Sequence, residues 1–292
     1  MSVRLWLFLG GTIGLIFGLF LVVGVLSFSA DVETLVGGST YAFLKEVAVP
    51  MAAGFGGAIA GACSSYFLTR KENQVRQVEI DTELINTSLY LLMSKLSEIV
   101  AIRKQGFFPH GEGQARFLTI PLYSTGGEPQ PSLDMRIITV LGRVGIDDIS
   151  EKIYKAENGY IACLNHLNIR NDMFLQVRDL AERSGILKDN SVMIYKYVLA
   201  VGMPRLLALY DVTENLISYI DSVIEDVKDA LLAIERARER FVVNGRVSVM
   251  SLSFSDFSDS KLPSPHFGNR TELEKYLAKS VEVARVSGLE RG

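Results

Sequence analysis

The chain is poor in the residues that build reactive centres. It has two cysteines, Cys63 and Cys163, and three histidines, His110, His166 and His266. Two cysteines so far apart, one in an apolar run and one in a helical run, exclude a disulfide framework. No histidine pair has the spacing of helical metal ligands. A nucleophile elbow, a phosphate-binding loop, a dinucleotide fingerprint and zinc spacing are all absent. No cofactor is implied, and the pattern favours a non-enzyme. Charge of one sign is also lacking: 30 basic against 33 acidic residues, net −3. That balance excludes a broad nucleic-acid footprint.

What the sequence does have is apolar length. Leu5 to Phe28 carries no charged residue. A helix needs roughly 20 apolar residues to cross a bilayer. The run is longer than a signal-peptide core of about 7–15 residues. A second uncharged run, Val47 to Leu68, follows it. Together they predict a retained two-span transmembrane hairpin over residues 1–70. Arg4 lies before the first span, and Arg70, Lys71 and Arg76 lie after the second. The loop between holds Lys45 against Asp31, Glu33 and Glu46. The positive-inside rule then puts both termini in the cytoplasm and the loop outside, in the inner (cytoplasmic) membrane.

Small residues recur every four positions: Gly10, Gly14 and Gly18 in the first run, Ala53, Gly57, Gly61 and Ser65 in the second. Such ladders let membrane helices approach closely, within one chain or between copies. They point to a homo-oligomer. Neither run contains an ionisable residue, which argues against a pore lining.

From Lys71 to residue 254 the pattern is that of a cytoplasmic helical bundle. Val75, Val78, Ile85, Leu89, Leu92, Leu96 and Ile99 fall on three- and four-residue steps, with Thr82 in the gap. This heptad seam predicts a helix continuing from the second span to Gly106. Gln105 to Pro131 reads as a long loop. Within it Phe117 to Tyr123 reads as a short edge strand or a packed extended segment; as a strand it could pair with Arg246 to Phe254, giving at most one short β-hairpin in an otherwise mostly α fold. Pro131 and Ser132 open a short helix to about Gly142. A second long helix runs from Ile149 to Arg183, with Arg170 standing in its apolar seam. The ordinary outcome for such an arginine is a packed stem with its head in solvent; a buried partner or a ligand contact is the functional alternative. Asp147 and Asp148 form an acidic pair at this helix's start, where the helix dipole explains them; a catalytic pair is the other reading.

Ser191 to Leu199 predicts a short helix, and Pro204 opens a third long one to Phe241. Its seam, Leu216, Ile220, Val223, Val227, Ala230 and Ile234, is widened by Ile217, Ile224 and Leu231, which suits a bundle. Residues 255–292 read as a Ser/Asp/Pro-rich linker to Asn269, then a helix opened by a capping box at Thr271 and Glu274.

The layout resembles a loose group of uncharacterised bacterial inner-membrane proteins with an N-terminal hairpin and a helical cytoplasmic domain. Leu89 to Gln105 (LYLLMSKLSEIVAIRKQ) and Leu164 to Phe174 (LNHLNIRNDMF) carry the likeness. It implies a location and an architecture but no reaction. Some such proteins resemble phage-defence effectors. Three functions are therefore in view. One is a membrane-anchored, non-enzymatic scaffold or sensor that holds a cytoplasmic protein partner. Another is a membrane-permeabilising effector. The third is an anchored enzyme with its site near Asp147 and Asp148.

Overall fold

The computed structural model describes residues 38–43, 46–47, 49–123, 130–143, 148–188, 193–241 and 262–287. Its contacts divide the chain into two units, Met1–Val78 and Glu79–Gly292. The described residues are mostly helical and contain no strand. Leu5 to Phe28, Arg4 and the ladder Gly10, Gly14 and Gly18 lie outside them, as do Asp147 and Arg246 to Phe254.

In the first unit the described residues form α1 (Gly38–Phe43) and the opening part of α2 (Val49–Ala101). No helix among the described residues is long and apolar enough to cross a membrane. Glycine, alanine and serine fill much of Val47 to Leu68 and add little transfer free energy per residue. The charge-free stretch is nevertheless exposed. Met51, Phe55, Phe67 and Leu68 each leave 60–67% of their surface open. Arg70, Lys71 and Arg76 are exposed beyond it. Val75 and Val78, expected in the buried seam, are 40% and 47% exposed.

The second unit is built on three long helices: the remainder of α2 from Glu79, α5 (Ile149–Arg183) and α7 (Met203–Phe241). From Thr82 onward the α2 seam is buried as its spacing predicts, with Ile85, Leu89, Leu92, Leu96 and Ile99 inaccessible. The α7 seam and the α5 seam as far as Leu167 join the same core, while Val177 and Ala181 of α5 belong to a second cluster.

The pairings fix helix direction. Asp81 meets Arg143, Lys95 meets Glu157, and Glu98 meets Tyr160. Each pair is 62 residues apart, so α2 and the chain entering α5 run parallel. Gly159 faces Val223 and His166 faces Tyr219, so α5 and α7 run antiparallel. Parallel neighbours need a return crossing, and that explains the long connection between them. It carries a π-helical turn (Ile102–Phe107), a 3-10 turn (Phe108–His110), α3 (Arg116–Thr119) and α4 (Arg136–Gly142). In place of the edge strand read at Phe117 to Tyr123, residues 117–119 complete the helical turn α3 and residues 120–123 follow it without forming a strand. Phe117 and Ile120 are both fully buried three residues apart, where a strand with one buried face would alternate.

Two glycines mark close approaches. A Cβ at Gly106 would sit 2.9 Å from the Tyr123 ring. One at Gly159 would sit 3.2 Å from Val223 Cγ2. Gly159 therefore costs helix preference but lets α7 lie close, and α5 passes through Asn158-Gly159 unbroken.

A 3-10 turn (Ile186–Lys188) and α6 (Ile194–Val201) lead into α7. The last helix, α8, is Arg270–Val286. Its capping box lies two residues upstream of the predicted one. The Asn269 side chain accepts from the Glu272 N–H, and Glu272 accepts from the Gly268 N–H. Leu262 and Phe267 are buried, so this end of the expected linker is packed chain.

Candidate functional site

The densest chemistry in the second unit is a polar seam between α2 and α5. The Lys95 ammonium, fully buried, donates to Glu157 Oε2 at 2.5 Å. Glu157 Oε1 accepts from the Leu133 N–H at 3.3 Å. The same ammonium stands 4.9 Å from the centre of the Tyr160 ring. The Tyr160 hydroxyl donates to Glu98 Oε2 at 2.7 Å and accepts from the Gln130 N–H at 3.0 Å. Each buried charge thus has an opposite charge or a directed hydrogen bond, which the low interior dielectric demands.

The sequence places these groups in rows that share residues with each apolar seam. Ser88, Leu92, Lys95 and Ile99 step by four, three and four on α2. Ile153, Glu157, Tyr160 and Leu164 do the same on α5. All but the two partners' polar tips are apolar or small, so the rows go inside and carry Lys95 and Glu157 with them. Opposite charges at matching heptad positions were the available signal for this pair.

The seam holds its protons tightly. Burial and the hydrogen bond to Glu98 push the Tyr160 phenol well above its usual range. Burial, aided by the Glu98 charge, pushes the neighbouring Cys163 thiol up to about 12. Both stay protonated at neutral pH, so neither is an activated nucleophile. The pH consequence has a definite sign. Folded Cys163 keeps a proton that the unfolded thiol loses near pH 9. Its stabilisation is complete below that value and drains away as pH rises toward 12, at about 1.4 kcal/mol per pH unit. The unfolding midpoint of the wild type should fall steeply between pH 9 and 11, and that of Cys163→Ala should fall less steeply. Parallel slopes would remove Cys163 from the titration.

Arg170 occupies the α5 seam with its head inside, against the ordinary snorkelling outcome. It is fully buried. Its guanidinium donates to the carbonyls of Pro121 at 2.8 Å, Phe117 at 3.5 Å and Ile120. It also stacks 4.6 Å from the Phe174 ring centre. These carbonyls are left orphaned where α3 ends, and a fork of N–H donors is the group that can collect them. Burial pulls the guanidinium down to about 10, still charged at neutral pH. Asn171 adds a bond to the Tyr123 carbonyl at 2.8 Å. The arginine is therefore a clamp on the crossing connection.

Arg116 is a second clamp that the sequence did not flag. It grips Glu214 of α7 through two nitrogens, one at 2.8 Å, and donates to the carbonyls of Gly111 at 2.9 Å and Pro263 at 2.7 Å. Opening a single helical turn within a stretch that reads as loop, it had no periodicity to reveal it.

Asp148 has an ordinary role at the α5 N-terminus. It is exposed and paired with Lys152 at 2.5 Å, one turn on. That hydrogen bond holds its carboxyl below the usual range. Among the described residues no group of acidic, histidine or cysteine side chains could hold a metal ion.

The small-residue ladder of α2 is open. A Cβ added at Gly57 or Gly61 would meet nothing within 4 Å, and Ser65 is exposed. Cys63 beside it is a free, exposed thiol.

Among known proteins, the chain matches no family model, no curated protein and no solved structure. These comparisons therefore add no family to the likeness noted in the sequence.

Proposed function

We propose that the chain is a membrane-anchored, non-enzymatic scaffold or sensor that oligomerises through its N-terminal segments and presents a helical body to a cytoplasmic protein partner. One observation carries this reading. Along a single helix, the uncharged stretch to Leu68 leaves large apolar side chains open, while from Ile85 the seam Ile85, Leu89, Leu92, Leu96 and Ile99 is fully buried. An exposed apolar run of that kind needs a non-aqueous neighbour. Lipid is the neighbour that also suits Leu5 to Phe28, the more strongly apolar of the two runs. The second run supplies small residues, which gain from close helix packing once the first has inserted. The basic residues just beyond Leu68 suit a cytoplasmic membrane surface. In the body, a polar seam already satisfied by its own partners favours a structural role over catalysis.

The two native thiols test the anchor. In sealed membrane vesicles neither should react with a maleimide. Cys163 is buried in protein, and Cys63 would be held away from water by lipid. Both should react after denaturation in dodecyl sulfate. Rapid labelling of Cys63 in intact vesicles would contradict the anchor.

A further inference from the structure

Arg70 stands where the exposed apolar stretch of α2 gives way to polar chain. With Tyr66 it lines two hollows on the first unit. One, of about 480 Å³, continues along Ala62, Cys63 and Phe67. The other, of about 380 Å³, continues along Asn73 and Gln74. At about 100° per residue, these side chains share one side of the helix. From the first hollow to the second, that side runs from apolar through aromatic to cation to amide. A lipid monolayer has the same order, from acyl chain through glycerol and phosphate to headgroup. We propose that this side of α2 binds one anionic phospholipid, with its phosphate on Arg70 and the hydroxyls of its headgroup on Asn73 and Gln74.

Charge, ring placement and spacing favour this occupant. Glu72 is the sole acidic residue from Gly57 to Val78. It lies about 160° round the helix from Arg70, so no carboxylate of this stretch competes for the guanidinium. Lys71 and Arg76, both exposed, flank the same side about 100° and 120° away and add positive potential. A guanidinium fork matches the oxygens of a phosphate. Tyr66 and Phe67 are half-exposed and meet edge to face, ring centres 5.9 Å apart. Such rings belong at the level where lipid meets water. Asn73 and Gln74 follow Arg70 by about one turn, roughly 5 Å along the axis, which is the reach from a phosphate into a short polyol head. Their amides both donate and accept, which suits hydroxyls better than a quaternary ammonium. A lipid is the matching source of the phosphate, because the first hollow is walled by Ala62, Cys63 and Phe67 and suits an acyl chain.

This site rests on the membrane anchor proposed above, and the two are tested apart. The full chain in detergent micelles is offered equal amounts of phosphatidylglycerol and phosphatidylcholine, and the lipid it retains is counted by native mass spectrometry. Wild type should retain phosphatidylglycerol over phosphatidylcholine by about fivefold. Arg70→Gln should bring that ratio close to one, while Lys71→Gln should leave most of it. Asn73→Ala/Gln74→Ala should still select negative charge but lose the wild-type preference for phosphatidylglycerol over phosphatidic acid. Excess inorganic phosphate should not displace the lipid. Equal retention of the two lipids by wild type would overturn the site, and so would displacement by phosphate. A loss as large in Lys71→Gln as in Arg70→Gln would show diffuse attraction and overturn it too. Carbonate extraction of membranes reads the anchor separately, and the Arg70→Gln chain should stay in the pellet. Equal lipid retention by a wild type that pellets would remove the lipid site alone, whereas a wild-type chain in the supernatant would remove both.

Discussion

Lys95→Met should be among the most damaging single changes in the second unit, costing about 3–5 kcal/mol. The substitution keeps the stem's volume and removes the ammonium. It leaves the Glu157 carboxylate inside the bundle, accepting from the Leu133 N–H but without its cation. The cost is thus the desolvation of an unmatched charge, and little of it is lost attraction. The companion change is informative. In Lys95→Met/Glu157→Gln the glutamine amide still accepts from Leu133, and no charge is left inside. That double variant should recover most of the loss and stand within about 1 kcal/mol of wild type. Denaturant unfolding followed by helical circular dichroism measures all three. A double variant as unstable as the single one would show that the two side chains are not coupled.

The second large effect is expected at Arg170. Arg170→Leu fills the space but leaves the carbonyls of Phe117, Ile120 and Pro121 without their donor, and the Phe174 ring without its cation. A buried carbonyl left unpaired costs about 1–3 kcal/mol, so a total near 4 kcal/mol follows even if one carbonyl finds water. Arg170→Lys should restore less than half. An ammonium is a point donor on a mobile stem and cannot reach three carbonyls from one plane. Amide hydrogen exchange should locate the damage in residues 116–123 and not in the α2–α5 seam. Loss spread evenly over the bundle would contradict the clamp.

Much of this bundle was legible because burial follows period. The helix predicted from Ile149 to about Arg183 is there, and the seam of α7 is buried from Leu216 to Ile234 where the three-four rhythm puts it. The same logic misled at Arg170. Periodicity says which positions face inward, but not whether a charged head at such a position finds partners inside. Its partners are main-chain carbonyls 49 to 53 residues away, and a carbonyl has no letter in the sequence. Phe117 to Tyr123 misled for a related reason. An apolar run beside a proline suits an edge strand and a buried turn equally, and only the docking of Phe117 against Tyr210, rings 5.7 Å apart, decides. The capping box was displaced because two Thr/Asn-to-Glu pairs overlap at this helix start. Asn269 prevails with an extended backbone and a free side chain to accept the Glu272 N–H.

The direction of the helices was not legible at all. Nothing in a heptad says parallel or antiparallel. The constant offset between Lys95 and Glu157 and between Glu98 and Tyr160 decides it, and with it the need for a long return crossing.

The central functional claim is that residues 1–70 hold this helical body to a bilayer. Alkaline carbonate extraction of native membranes tests it most directly, because it strips proteins bound by charge and spares those held by apolar contact. The account predicts that the full chain stays in the membrane pellet and enters solution only with detergent. Recovery of the intact chain in the carbonate supernatant would contradict it.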